Sequence, residues 1–349
     1  MKSRIIYLLF AIVFVLIGWF ANTAYHLPKN SNPIAQIKPT PLLKYTIENL
    51  AEVYRQEVGP LDGRMIEIGK VLKDDPKFTS YEFTMKFSPD FSENLKNTSG
   101  MINIPKGTGT FPVIVMFRGY VDQKQYLIGE GTAPSAKIFA ENGFITVAPD
   151  FLGYGDSDTE AGNIFESRFQ TYVTSATLLK TIAALEDSPL KAVSNNVKID
   201  TKNIFIWGHS NGGQIALTTL EITGVNYPTV LWAPVSKPFP FSILAYLDEA
   251  SDSGKLIIDK LAEFNETYDA SKFSLTGYFD KIKAPILLNQ GTADTSVPYW
   301  WSDSLVKTLK AIGVDITYIK YPGANHNLVP FWNQTVENSI NYFKSHLTK

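Results

Sequence analysis

Ser210 stands in Gly208-His209-Ser210-Asn211-Gly212, with a further glycine, Gly213, directly behind. Ile204-Phe205-Ile206-Trp207 before it is apolar enough for a buried strand, and residues 213–220 after it have helical character. A Gly-x-Ser-x-Gly between strand and helix is a nucleophile elbow. The glycines let strand and helix approach each other with no Cβ in the way. The hydroxyl then projects clear of the sheet, and the helix start offers free backbone N–H groups.

A serine hydroxyl needs a base, and the chain has four histidines, His26, His209, His326 and His346. His26 follows an apolar N-terminal run. His209 adjoins the serine, so its side chain should point elsewhere, and His346 falls in the last turn of a C-terminal helix. The expected base is His326, in Tyr321-Pro322-Gly323-Ala324-Asn325-His326, between a strand-like run at 315–320 and the final helix. Its imidazole can take the hydroxyl proton and return it to a leaving group. Asp294 closes Gly291-Thr292-Ala293-Asp294, directly after an apolar strand at 284–290. A carboxylate there can hold the imidazole tautomer and stabilise the imidazolium. Asp303, on the next helix, and Asp280, before the strand, are poorer candidates. Acyl transfer also needs oxyanion donors. The N–H of Asn211 is one. The N–H of Tyr120 is the other, from Arg118-Gly119-Tyr120 after the strand ending at Phe117, with the Tyr120 hydroxyl as an alternative and Gly119 allowing a tight turn.

The elements needed to bring these residues together are legible. Residues 46–72 read as mostly helical, interrupted at Gly59-Pro60. Strands are expected at 80–87, 99–105, 112–117, 144–148, 204–207, 229–232, 284–290 and 315–320. Helices are expected at 133–142, 168–185, after the elbow, and at the C-terminus. The continuous apolar runs suit strands buried on both faces, and the alternation implies right-handed crossovers under a doubly covered sheet. Residues 237–280 interrupt it, at the length of a lid. Their rings Phe239, Phe241, Tyr246, Phe264, Tyr268, Phe273, Tyr278 and Phe279 could wall a substrate pocket or simply pack.

Composition agrees and excludes. The 349 residues are 44% hydrophobic and 19% charged, ample for a large core. A net charge of −2 gives no general pull toward nucleic acid. There is no cysteine, which removes disulfides and thiolate chemistry, and no His-Glu-x-x-His or phosphate-loop motif occurs. No cofactor and no metal is expected. At the N-terminus Lys2 and Arg4 precede an uncharged run over residues 5–21. Extended to Ala24 it makes about 30 Å of helix, enough to cross a bilayer. The small-residue rule for signal cleavage is poorly met, so an uncleaved anchor is expected, with secretion after cleavage as the alternative. Basic residues before the run put the rest of the chain outside the cytoplasm. Pro28, Pro33, Pro39 and Pro41 then mark an extended linker. The expected division is an anchor or signal segment at 1–24, a linker at 25–41, and a catalytic domain at 42–349 with a lid at about 237–280.

The chain order Ser210, Asp294, His326 is that of the α/β-hydrolase fold. The chain resembles the catalytic domain of the prolyl oligopeptidase family of serine peptidases. The resemblance is carried by Gly208-His209-Ser210-Asn211-Gly212-Gly213, by Gly291-Thr292-Ala293-Asp294-Thr295-Ser296-Val297-Pro298, by Tyr321-Pro322-Gly323-Ala324-Asn325-His326, and by Asp150-Phe151-Leu152-Gly153-Tyr154-Gly155-Asp156-Ser157. It implies Ser210 as nucleophile, Asp294 as acid and His326 as base. Arg118 stands where relatives usually carry His or Tyr. The stretch between linker and core is too short for the β-propeller of larger members, so their exopeptidase specificity does not carry over. The expected activity is cleavage of a small peptide, amide or ester through an acyl-enzyme. A carboxylesterase is the alternative, and a non-catalytic tethered binding protein would need a lost triad position.

Overall fold

The computed structural model describes residues 39–56, 65–183, 190, 193–194, 196–249 and 252–348. The expected anchor, and His26 with it, lie outside the described residues. Nine strands form one sheet: β1 (Met65–Asp74), β2 (Phe78–Phe87), β3 (Lys96–Pro105), β4 (Gly109–Phe117), β5 (Ile145–Pro149), β6 (Val197–His209), β7 (Thr229–Trp232), β8 (Ile286–Gly291) and β9 (Ile316–Tyr321). Their order is β1-β2-β3-β5-β4-β6-β7-β8-β9. β1, β2 and β3 pair antiparallel and β3 meets β5 antiparallel. From β5 to β9 every pairing is parallel. The helices are α1 (Ile47–Arg55), α2 (Ala133–Glu141), α3 (Ile164–Ala183), α4 (Asn211–Thr223), α5 (Phe241–Leu244), α6 (Lys255–Asn265), α7 (Tyr299–Ala311) and α8 (Trp332–Ser345).

Alternation along the central strands feeds two separate cores. Val113, Val115 and Phe117 of β4 join Ile204 and Ile206 of β6 on one face, under Leu50, Phe169, Leu217 and Leu305 from α1, α3, α4 and α7. Ile114, Met116, Phe205 and Trp207 point to the other face, under Phe139 of α2 and Val336, Ile340 and Phe343 of α8. Successive residues of one strand are thus both buried, which is why these strands read as unbroken apolar runs. This is the mostly parallel sheet of an α/β-hydrolase-like fold. Among the described residues no helix is long and apolar enough to cross a membrane.

One expectation is corrected, and one alternative left open is decided. Residues 46–72 do not stay helical: α1 ends at Arg55, and Met65–Asp74 is the edge strand β1. Ile66, opposite Met85, is buried and Glu67 is exposed, a period of two that suits pairing with β2 better than a helix face. The rings of the segment between β7 and β8 mostly pack rather than wall a pocket. Phe239, Phe264 and Phe273 are buried against Phe165 and Phe169 of α3, with Phe169 stacked on Phe273 at 4.8 Å. Phe241, at 62% exposure, stands open.

Glu221 breaks the apolar rule inside α4, which packs against α1 and the turns at Leu275–Gly277 and Phe279–Lys281. It is buried, and neither carboxylate oxygen has a hydrogen-bond partner. Burial first, and then the nearby Asp280 charge, push its pKa well above the usual glutamate range, so it is a neutral acid. The unfolded chain releases this proton near pH 4.3, roughly, while the native chain keeps it. Above that pH the native state therefore holds more protons than the unfolded chain, and this group's contribution to stability falls as pH rises. Glu221→Gln should raise the melting temperature at pH 8 by roughly 3–6 °C and have little effect near pH 4. Calorimetry showing an equal shift at both values would contradict the buried neutral acid.

Candidate active site

The turn after β6 is shaped by what glycine lacks. A Cβ on Gly212 would collide with the Phe117 carbonyl, one on Gly208 with the Gly212 carbonyl, and one on Gly213 with Pro234. Strand, turn and helix are therefore in backbone contact. Between them Ser210 is held at φ 58°, ψ −121°, a conformation that costs a side-chain-bearing residue on the order of 1–3 kcal/mol. Surrounding bonds hold it there. Its N–H donates to Trp232 O at 2.9 Å, and its carbonyl accepts from Val235 N at 2.9 Å and Gly213 N at 3.0 Å. Directly opposite is Gly119, whose Cβ would come within 3.0 Å of Ser210 Cβ and 3.5 Å of its Oγ. Close approach, rather than an unusual φ, is what requires glycine there.

The loops after β8 and β9 are pinned to each other by their backbones. Ala293 N donates to Ala324 O at 2.9 Å, Thr292 N to Tyr321 O at 3.1 Å, and Gly323 N to Thr292 Oγ1 at 2.8 Å. Gly323 sits at φ 74°. This brings His326 Nδ1 to 2.9 Å from Asp294 Oδ2. A carboxylate only accepts, so Nδ1 carries the hydrogen and Nε2 is left bare as a proton acceptor. Asp294 is held in turn: Ser296 N and Val297 N donate to Oδ1 at 2.9 and 2.8 Å, and Gln290 Nε2 donates to Oδ2 at 3.0 Å. Ser302 Oγ anchors Gln290 from the other side, at 2.7 Å. The rival carboxylates are elsewhere. Asp303 receives Tyr318 and Lys320, and Asp280 pairs with Lys281 at the surface. His346 closes α8, its Nδ1 2.8 Å from Tyr342 O.

His209 was expected to point away from the chemistry, and it does not. Its Nε2 lies 3.1 Å from the His326 carbonyl, and the two imidazoles lie with centroids 4.7 Å apart, tilted by 34°. The carbonyl only accepts, so His209 donates through Nε2–H. Burial and the His326 ring push its pKa down to about 4, which keeps it neutral. This contact ties the histidine loop to the residue preceding Ser210. His326 and Ser210 Oγ themselves are not hydrogen-bonded in the free protein, as is common before substrate arrives.

The two expected oxyanion amides, Asn211 N–H and Tyr120 N–H, donate to no described acceptor. Asn211 is the first residue of α4, where an amide has no partner within the helix. The Tyr120 side chain is 80% exposed. Behind this loop Arg118 is buried. Its guanidinium donates to Gly119 O at 3.0 Å and Asp150 O at 2.8 Å, and lies 3.9 Å from the Tyr154 ring centroid and 4.8 Å from that of Tyr126. The Asp150 carboxylate accepts from Ser99 Oγ, Tyr126 OH and Gly129 N at 2.6, 2.6 and 2.9 Å. Burial raises its pKa, and these bonds and the Arg118 charge oppose that. Arg118 thus fixes the Gly119 peptide from beneath. The sequence reading gives Gln290 and Asp150 no role and turns His209 away from the site. The available signal was polar residues interrupting otherwise apolar strand ends.

A cavity of about 410 Å³ is lined by Lys237, Pro238, Phe241, Leu244, Ala245 and Trp301. Lys237 lies two residues past Val235, whose amide holds the Ser210 carbonyl, and Ser236 Oγ donates to Trp301 O at 3.3 Å. Among the described residues no group of three or more His, Asp or Glu is placed to hold a metal ion.

Residues 132–349 match the prolyl oligopeptidase family, and the chain belongs to that family of serine hydrolases. It is 26% identical over 214 residues to dipeptidyl aminopeptidase BIII of Pseudoxanthomonas mexicana, covering 58% of this chain and 28% of that protein. In structure it is similar to acetyl xylan esterase 1 from a Thermoanaerobacterium species, with a TM-score of 0.59 and 18% identity over 89% of this chain and 95% of that one. It is also similar to a puromycin-hydrolysing peptidase of Mycobacterium tuberculosis, with a TM-score of 0.52 and 13% identity over 81% of this chain and 39% of that one.

The depressed pKa of His209 has a consequence for acid stability. Between pH 6.5 and 4, roughly, the unfolded chain binds a proton that the native chain refuses, so stability falls with pH in that window. His209→Phe keeps an aromatic ring against His326 and removes the titration. Its melting temperature should fall less between pH 7 and pH 4.5 than that of the wild type. Parallel pH profiles for the two proteins would contradict the assignment.

Proposed function

We propose that the protein is a serine hydrolase that cleaves a peptide, amide or ester bond by double displacement on Ser210. His326 Nε2 takes the Ser210 proton as Oγ attacks the carbonyl carbon, and Asp294 stabilises the imidazolium that forms. The oxyanion is held by the amides of Asn211 and Tyr120. The tetrahedral intermediate collapses, the leaving group departs with the proton from His326, and an acyl-enzyme remains. Water, deprotonated by His326, then releases the acid and restores Ser210. The observation that carries this reading is the strained Ser210 backbone on a turn facing Gly119, with the bonded His326–Asp294 pair tied to its neighbour His209. In this reading residues 237–280 form the lid.

Family membership supports a peptidase. The acyl esterase reading is favoured by the cavity, where Lys237 is the one charged lining residue. The ammonium of a peptide finds no counter-charge there. Hydrolysis of p-nitrophenyl acyl esters of graded length, set beside short aminoacyl and prolyl amides, decides between them. Comparable rates on amides support the peptidase.

Ser210→Ala should lower turnover by roughly 10⁴ to 10⁶. A fluorophosphonate should label the wild type at Ser210 and fail on His326→Ala, whereas retained turnover in Ser210→Ala would refute the mechanism. The apolar run at 5–21 behind Lys2 and Arg4 supports a tethered enzyme with its catalytic domain on the extracytoplasmic side. The full chain should then sediment with membranes and be released by detergent but not by high salt. Recovery in the soluble fraction with residue 1 intact would refute tethering.

A further inference from the structure

Lys237 is half-buried in this cavity, among the apolar walls of Pro238, Phe241, Leu244 and Trp301, two residues past the Val235 amide that holds the Ser210 carbonyl. It pairs with no carboxylate of the described chain, and its one directed contact is with the Trp301 ring, Nζ lying 5.5 Å from the centroid. Other lysines near clefts are compensated: Lys70 meets Glu82 and Asp156, Lys73 meets Asp75, and Lys137 meets Glu141. An ammonium drawn partly out of water without a counter-ion is a cost that folding alone gives no reason to carry. An incoming anion would remove that cost, and in surroundings of lowered dielectric their attraction exceeds its value in water.

We infer that Lys237 selects substrates carrying a compact anion on an apolar stem, joined to one side of the bond that Ser210 attacks. The inference rests on the hydrolase reading above and goes further, because triad chemistry is indifferent to substrate charge. The stem lies against Phe241 and Trp301, and a carboxylate at its end meets Lys237 Nζ. Phe241 is already exposed and Trp301 half-exposed, so both rings are available to a ligand. Such a ligand is an acyl chain or aryl group ending in a carboxylate, attached as acid or as alcohol.

The experiment uses the full chain and two matched pairs of esters. On the acyl side, mono-p-nitrophenyl adipate is compared with p-nitrophenyl hexanoate. On the leaving-group side, p-acetoxybenzoate is compared with its neutral methyl ester. The readout is the ratio of kcat/KM for anionic over neutral ester, in the wild type, in Lys237→Met, which keeps the packing of the stem, and in Lys237→Glu. Intrinsic reactivity cancels when ratios are compared between proteins. In at least one pair the ratio should fall by about tenfold or more in Lys237→Met and further in Lys237→Glu, with the change mostly in KM. Raising salt to about 0.5 M should shrink the wild-type preference several-fold. The pair that responds identifies the side of the bond carrying the anion. Ratios equal within about twofold across all three proteins, in both pairs, overturn the inference. Fluorophosphonate labelling of Ser210 in each protein is read in parallel. A labelled wild type with unchanged ratios defeats the charge selectivity alone, and an unlabelled, folded wild type defeats the hydrolase reading beneath it.

Discussion

Backbone meets backbone where β6 turns into α4, and the site depends on that contact. Gly212 leaves no room for a side chain against the Phe117 carbonyl, and Gly213 none against Pro234. β4, β6 and the segment after β7 are thereby drawn together under one residue, Ser210, which takes a backbone conformation it would not adopt alone. The two cores on either side of the sheet hold the turn closed. Phe117 and Ile206 press from one side and Met116 and Trp207 from the other. Burial of side chains of that size is worth roughly 1.5–3 kcal/mol each, enough for a few of them to offset the strain at one residue.

The His326–Asp294 pair follows the same principle with hydrogen bonds in place of close packing. Four donors converge on Asp294, from Ser296, Val297, Gln290 and His326, so the carboxylate has little freedom to turn. Two of those donors are backbone amides of its own loop, and that loop is bonded to the histidine loop. His209 then fastens the histidine loop to the nucleophile turn. Groups set in advance need no reorganisation when charge develops in the transition state. Arg118 plays the corresponding part for the loop proposed to hold the oxyanion. Lying over the Tyr126 and Tyr154 rings and bonded to two carbonyls, it supports the Gly119 peptide.

Elsewhere the fold tolerates polar groups that packing alone would exclude. Glu221 is buried as a neutral acid, and the Arg118 Nε has no partner. Lys237 differs from these in facing a cavity. A buried orphan affects stability, whereas an orphan that faces an opening is available to a ligand. Local rules of this kind are broken most often where a protein works.

Much of this molecule is written locally. The pentapeptide around Ser210, the Gly-Thr-Ala-Asp after one apolar strand and the histidine after the next specify types, spacing and order, because a nucleophile elbow and a strand-end carboxylate depend on neighbours a few residues away. Periodicity likewise announced the central strands, since burial on both faces leaves unbroken apolar runs. It misread residues 65–72, where an edge strand's pattern of Ile66 and Ile68 becomes meaningful only once β2 lies alongside. It also left the aromatic residues of the inserted segment undecided. Whether Phe239 or Phe241 faces a cavity depends on where α3 places Phe165 and Phe169. His209, Gln290 and Arg118 gained their roles only in three dimensions, because His209 acts on a loop more than a hundred residues away, Arg118 joins its own loop to the one after β5, and Gln290 reaches a carboxylate beyond a turn. The sequence alone thus determined the types, spacing and order of the groups proposed to react. Tertiary structure decided which groups hold them, because support comes from contacts between distant segments that no local pattern records.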